Sequence, residues 1–261
     1  MPQLVEYEAR DGIALITLSD PPANTYSYAM MRQLDDVILR ARFDNDVHVL
    51  VITGAGKKFF CAGANIQMLQ EVDPGFKYYF CLHANETLMR LEQTPKLVIA
   101  AINGHCVGGG LEVAMAADLR LAAKGDFKIG LPEVNLGVLP GTGGTQRLAR
   151  LIGKAKALEL MVEGRNLSVT EAQSLGLVNR IVESDDFMAG VLAYAREFVP
   201  PGRASRAVGH IKRAVVSGTE MAFAEGLALE RELQQRLFTS EDAAEGIRAY
   251  NEKRKPSFQG K

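Results

Sequence analysis

The sequence predicts an α/β fold in which strand and helix units repeat along the chain and an all-helical segment closes it. Three observations carry this expectation: a hairpin signal near the N-terminus, β-type apolar runs alternating with helical periodicity, and consecutive helical stretches at the C-terminal end with no convincing strand between them. Residues 4–9 and 13–18 flank Asp11-Gly12, a dipeptide that takes positive φ readily, and read as a β-hairpin. After the loop Asp20-Pro21-Pro22-Ala23-Asn24, the spacing of Met30, Leu34, Val37, Ile38 and Ala41 predicts a helix leading into a strand over 47–53. The alternation recurs with a helix from about 76 to 91, a buried strand over 96–102, a glycine loop, a short helix from about 110 to 117 and a strand over 119–122. Such a pattern implies a mainly parallel sheet covered by helices, its units stacking as successive turns of one spiral. From about Asp185 the pattern changes, and residues 187–199, 204–216, 221–238 and 241–253 all show helical periodicity. Pro200-Pro201-Gly202 cannot continue a helix, so the chain divides into a core over 1–199 and a helical module over 200–261.

Composition narrows the function classes. A chain of 261 residues with 47% apolar content builds a packed core without staples. Thirty Lys and Arg against 31 Asp and Glu leave a net charge of -1, so no global field draws in nucleic acid or anionic lipid. Cys61, Cys81 and Cys106 form no CxxC pair, which argues against a disulfide framework and a zinc site. Residues 1–10 carry no signal or transit pattern, and no stretch approaches the roughly 18 apolar residues of a membrane span. The expectation is a cytoplasmic protein with no membrane partner.

Two loops are candidates for chemistry. Lys58-Phe59-Phe60-Cys61-Ala62-Gly63-Ala64-Asn65-Ile66 follows a strand with small residues that let a ligand approach the main chain; its plainer reading is a tight turn. Asn103-Gly104-His105-Cys106-Val107-Gly108-Gly109-Gly110-Leu111-Glu112 runs from an apolar strand into a helix. Each glycine costs about 0.5 to 1 kcal/mol to order relative to alanine. A triplet at a helix start therefore points either to backbone N–H groups facing a developing negative charge or to close packing of helix on sheet.

Glu112 falls in the first turn of that helix, where the dipole is expected to lower its pKa; a capping role is the plainer reading. Glu133 stands in Ile129-Gly130-Leu131-Pro132-Glu133-Val134-Asn135-Leu136-Gly137, almost free of other charge, where burial is expected to raise its pKa. Two acids split in this way suit paired acid and base roles. The glycine-rich run over 139–148 fits neither a phosphate loop nor a dinucleotide fingerprint and reads as a close-packed helix entrance. His48, His83, His105 and His210 lack metal-ligand spacing, Ser27 and Ser168 lack a GxSxG context, and Lys253-Arg254-Lys255 reads as a solvated helix end able to touch a phosphate.

In order along the chain, Phe60-Cys61-Ala62-Gly63-Ala64-Asn65-Ile66, Ala101-Ile102-Asn103-Gly104 with Gly108-Gly109-Gly110-Leu111-Glu112, Leu131-Pro132-Glu133, the run 140–148 and Glu252-Lys253-Arg254 resemble the crotonase family. This is also called the enoyl-CoA hydratase/isomerase superfamily, and the likeness covers essentially the whole chain and is strongest to enoyl-CoA hydratases. The resemblance implies a crotonase-like spiral with a C-terminal helical oligomerisation module, a homotrimer or a dimer of trimers, and an acyl-CoA thioester substrate whose coenzyme A is part of the substrate, with no separate cofactor. It implies an oxyanion hole from the N–H groups of Ala64 and Gly109, a coenzyme A site lined by Ala62, Asn65, Ile66 and Gln67, a phosphate contact from Lys253 of a neighbouring subunit, and help from Gly141 in holding a catalytic water. It further implies Glu112 as the base that activates water and Glu133 as the acid that protonates the α-carbon, hence syn hydration of a trans-2-enoyl thioester. An isomerase or another enolate-forming enzyme, and a silent or RNA-associated relative, stand as alternatives; the near-zero charge counts against the last. The chain departs from the family at Asn65, often aspartate there, and at Thr25-Tyr26-Ser27, where a small residue followed by leucine is usual.

Overall fold

The computed structural model describes residues 2–183 and 186–261; the expected onset of the helical tail at Asp185 lies outside the described residues. Strands β1 (Val5–Arg10) and β2 (Ile13–Leu18) pair antiparallel, with Asp11 at φ 52 and Gly12 at φ 79 closing the predicted two-residue turn. Helix α1 (Tyr28–Phe43) is capped by the Ser27 side chain and buries Met30, Met31, Leu34, Ile38 and Ala41 as one stripe. There follow β3 (Val49–Gly54), β4 (Phe59–Cys61), α2 (Ile66–Glu71) and α3 (Pro74–Glu92). Helix α3 starts before the expected residue 76 because Asp73 caps it and Pro74 occupies the first turn, where a missing N–H costs nothing.

Next come β5 (Leu97–Ile102), β6 (His105–Val107), α4 (Gly109–Met115), β7 (Leu119–Ala123) and β8 (Ile129–Gly130). A single 3-10 turn, Glu133–Leu136, precedes α5 (Gly144–Ile152), α6 (Lys154–Glu163), β9 (Asn166–Leu167), α7 (Val169–Ser174) and β10 (Arg180–Val182). The tail holds α8 (Phe187–Arg196), α9 (Ser205–Gly218), α10 (Phe223–Phe238) and α11 (Glu241–Asn251), with no strand among its described residues.

The strands form two sheets, ordered β1-β2-β3-β5-β7-β10 and β4-β6-β8-β9. Each passage β3 to β4, β5 to β6 and β7 to β8 leaves one strand in each sheet, and neighbours from successive passages pair in parallel. This is the spiral expected from the repeated units. The second sheet was not legible in the sequence: β4 and β6 lie inside segments that read as loops, and strands of three residues are too short to display alternation.

Side chains alternate across the larger sheet. Leu50, Ile52, Val98 and Ala100 enter the main core with α1 and α3, while Val49, Val51, Leu97 and Ile99 face a second core closed by Val191 and Ala195 of α8 and by Val208 of α9. Each buried aliphatic side chain contributes about 1.5–3 kcal/mol. A polar clamp adds to this: Lys212 of α9 lies 2.9 Å from Asp118 and donates to the Lys96 carbonyl at 3.0 Å, while Asp118 also accepts from the Val98 N–H at 2.7 Å. Among the described residues, no helix is long and apolar enough to cross a membrane. Replacement of Lys212 by Met keeps the stem but strands a buried carboxylate, and is expected to destabilise the fold by about 3 kcal/mol in urea unfolding.

Candidate active site

Glu112 sits on α4 with only 1% of its surface exposed. Its Oε1 accepts hydrogen bonds from the N–H groups of Thr142 and Gly144, each at 2.7 Å. The sequence expectation that a helix terminus lowers its pKa is corrected: burial dominates and raises it, opposed by the Gly144 and Thr142 N–H groups and by Arg147. The dipole of the seven-residue α4 is outweighed, and the terminus that serves this carboxylate is instead the start of α5, where Gly144 presents its N–H.

The glycine run before α5 is thus more than a close-packed entrance. It bends through Gly143 at φ 101 so that two main-chain donors point at one oxygen. The turn is held from several sides. Asn85 of α3 donates to the Gly141 carbonyl at 3.1 Å, Arg147 donates to the Thr142 carbonyl at 3.2 Å while paired with Glu92 at 3.0 Å, and the Tyr26 hydroxyl lies 2.9 Å from the Thr142 hydroxyl. Thr142, Gly144, Asn85, Arg147 and Tyr26 are functional candidates that the sequence reading missed; the glycine run itself was the one available signal for the first two.

Glu133 opens the 3-10 turn, half-buried, and its Oε2 has no hydrogen-bond partner among the described residues. Burial pushes its pKa up to about 7; its own main-chain N–H opposes the rise and the charge of Glu112 adds to it. Burial raises both, so the expected opposite shifts of the two carboxyls are not found; the two differ instead in hydrogen bonding.

The two backbone candidates come from separate turns. Tyr26 pairs with the Ala64 segment, donating to the Gly63 carbonyl and accepting from the Asn65 N–H, each at 2.9 Å, so the Ala64 N–H points to the other side. Gly109 is the first residue of α4, where no intrahelical acceptor is in reach. Among the described residues neither N–H has an acceptor. The turns touch: a β-carbon on Gly63 would stand 3.0 Å from the Gly109 nitrogen.

Ala64, Gly109, Glu112 and Glu133 line one cavity of about 550 Å³, together with Ala62, Ile66 and Gly141. Its remaining wall is largely apolar, from Leu69, Phe80, Leu136, Val138 and Leu139. Asn65, Gln67 and Lys253 are not in this wall. The Asn65 side chain caps α2 by accepting from the Met68 N–H at 2.9 Å, Gln67 donates to Glu71 at 3.3 Å, and Lys253 is exposed just beyond α11. A second cleft of about 660 Å³ runs beneath α9; there Arg147 pairs with Glu92, Arg150 with Glu220 and Lys212 with Asp118, while Arg120 and Arg203 donate to main-chain carbonyls. The cavity with the unpartnered carboxyl oxygen and the two free main-chain N–H groups is the candidate site. An apolar chamber with two dissimilar carboxyls and two main-chain donors can move protons and stabilise an oxyanion.

A spiral of two mainly parallel sheets carrying such a chamber is the crotonase fold. The chain belongs to the enoyl-CoA hydratase/isomerase family, whose model matches residues 8–261. It is 38% identical to a putative enoyl-CoA hydratase/isomerase of Bacillus subtilis over 95% of both chains. It is 37% identical to a short-chain-enoyl-CoA hydratase of Clostridium acetobutylicum over 95% of this chain and 94% of the other. The crystal structure of an enoyl-CoA hydratase from Geobacillus kaustophilus HTA426 matches with a TM-score of 0.96 at 44% identity, covering 100% of this chain and 98% of that one. The expected fold class is thereby borne out.

Gly110 gives a direct check on how α4 is placed. A β-carbon there would lie 2.0 Å from the Cys61 carbonyl oxygen of β4. Gly110→Ala is expected to destabilise the protein by about 2 kcal/mol or more in chemical denaturation, because the obstacle is main chain and cannot rotate away.

Proposed function

We propose that the chain is an enoyl-CoA hydratase, adding water reversibly and in syn sense across a trans-2-enoyl thioester to give a 3-hydroxyacyl-CoA. The observation that carries this reading is the pair of unlike carboxyls in one apolar chamber. Glu112, held by two N–H donors, is suited to the anionic form and acts as the base. Glu133, with a partnerless oxygen, is suited to the protonated form and acts as the acid.

In this reading the thioester carbonyl oxygen accepts from the N–H groups of Ala64 and Gly109. Glu112 takes a proton from water as the water oxygen bonds to the β-carbon. The alkene electrons pass to the carbonyl oxygen, whose enolate charge the two N–H groups stabilise, and Glu133 returns a proton to the α-carbon. Ala62 and Ile66 support the coenzyme A portion from the cavity wall, and Gly141 helps hold the water. Asn65 and Gln67 would contribute from the rim, and Lys253 to a phosphate on a neighbouring copy of the chain.

Many isomerases of the family work with the later carboxylate alone, so a buried, doubly hydrogen-bonded Glu112 in the chamber favours hydration. The names of the Bacillus and Clostridium relatives support the same class of substrate.

Loss of crotonyl-CoA absorbance on addition of purified protein tests the proposal, and Glu112→Gln or Glu133→Gln is expected to lower kcat by about 10²–10⁴ fold. An inert wild type, or variants that match it, would reject the reading, and product analysis on a 3-enoyl-CoA separates isomerisation. The pH profile offers a second check. The acid must be protonated, so activity is present below the Glu133 pKa of about 7 and lost above it. The alkaline limb of kcat/KM, which reports the free enzyme, is expected near that value and should be absent in Glu133→Gln.

A further inference from the structure

One residue meets both backbone turns and the glycine turn before α5 without a role in the scheme above. Tyr26 is buried at 2% exposure, lines the chamber, and falls in the Thr25-Tyr26-Ser27 segment where the sequence departs from the family pattern. Its main chain pairs with Gly63 and Asn65 on either side of Ala64. Its ring lies against the start of α4 so closely that a β-carbon on Gly109 would stand 2.1 Å from the phenol oxygen. Its hydroxyl bonds to Thr142 at 2.9 Å, and the Thr142 N–H bonds to Glu112 at 2.7 Å. Phe80 backs the ring at a centroid distance of 5.9 Å.

We infer that Tyr26 is a positioning residue for hydration, fixing through Thr142 the turn that holds Glu112 and through ring contact the line of the Gly109 N–H. The assignment rests on the proposed hydratase reading and adds to it a residue that acts without meeting the reacting atoms.

The Tyr26 and Thr142 hydroxyls share one hydrogen bond in which either can donate, and the Thr142 main chain carries the link onward to Glu112 through its N–H. Burial and the Glu112 charge keep the phenol protonated, so the hydroxyl pair persists across the working pH range. Anchoring Thr142 in this way keeps its N–H aimed at the carboxylate, which favours the charged form. The other groups bearing on Glu112 are Arg147 of α5, which favours its charge, and Cys81 of α3 and Glu133 of the 3-10 turn, each of which its charge pushes toward the protonated form.

Tyr26→Phe keeps the ring and the main-chain pairing and removes only the hydroxyl that bonds to Thr142. The expected result in crotonyl-CoA hydration is a kcat about tenfold lower with KM within about twofold of wild type. The acid limb should move to higher pH, because Glu112 then binds its proton more tightly. Thr142→Val, which keeps the main-chain N–H, should move the limb the same way, and the double variant should be no worse than Thr142→Val alone. Carbon NMR of glutamate carboxyls labelled with ¹³C reads the same shift of Glu112 without turnover.

An unmoved Glu112 midpoint in both single variants, or a Tyr26→Phe enzyme with wild-type kcat and acid limb, overturns the assignment. A changed melting temperature with no change in either pH readout assigns Tyr26 to packing alone and overturns it too. Wild-type protein inert toward the thioester rejects the hydratase reading instead, and the NMR titration still decides whether the Tyr26–Thr142 link reaches Glu112. Should Tyr26→Phe fail to fold, Thr142→Val carries the test.

Discussion

A carboxylate shut away from water and held by two main-chain N–H groups is the constraint around which this molecule is arranged. Burial alone drives Glu112 toward its neutral form, and a single side-chain partner is too mobile a counterweight. Two rigid donors at 2.7 Å on one oxygen supply the counterweight without a second buried charge to compensate. That arrangement requires a turn with glycine at φ 101 and the first N–H of α5 in place, which explains why Asn85, Arg147 and Tyr26 converge on the same few residues.

The spiral supplies the place where this can happen. Each passage of the chain leaves one strand in the large sheet and one in the small sheet, and the chain then emerges beside the equivalent point of the previous passage. Ala64 follows β4, Gly109 follows β6 and Glu133 follows β8, so parallel pairing of those short strands brings three sequence-distant turns to one edge. The residues after the strand ends are free to serve the cavity because the strands themselves carry the packing. Gly110 against the Cys61 carbonyl then sets the closeness of α4 to β4, and with it the meeting of the two turns.

The larger elements were legible in the sequence because they repeat a single period over many residues. The hairpin turn, α1, α3, the parallel strands and the helical tail all appear where their patterns fall. The small sheet was not legible, since β4 and β6 are three residues each and their pairing is set by neighbours far along the chain. The glycine triplet was read as either ligand-facing backbone or close packing, and the structure divides it: Gly109 borders the chamber, while Gly110 is packed against main chain. The sequence could place Glu112 in a first helical turn but not show that a second helix, thirty-odd residues on, would supply its donors; that geometry is tertiary, and it reversed the expected direction of the pKa. Tyr26 stood out only as an irregularity in a pattern, because a buried tyrosine in a loop has no period to announce it.

Two identical side chains in one apolar chamber would ordinarily compete for the same proton, and the structure resolves the competition by unequal solvation within the protein. Glu112 meets donors that were fixed when the fold formed, so its charge requires little rearrangement. Glu133 meets none at Oε2, and the negative neighbour further disfavours its ionisation, which leaves it near 7. On the proposed reading the main-chain donors favour the charge on Glu112 and leave the proton on Glu133. On the same reading a reversible addition needs such a bias to be modest, because the reverse reaction asks the same two groups to exchange roles. Main-chain N–H groups solvate the Glu112 charge, and a nearly neutral chain can in this way hold a buried charge without a strong field of its own.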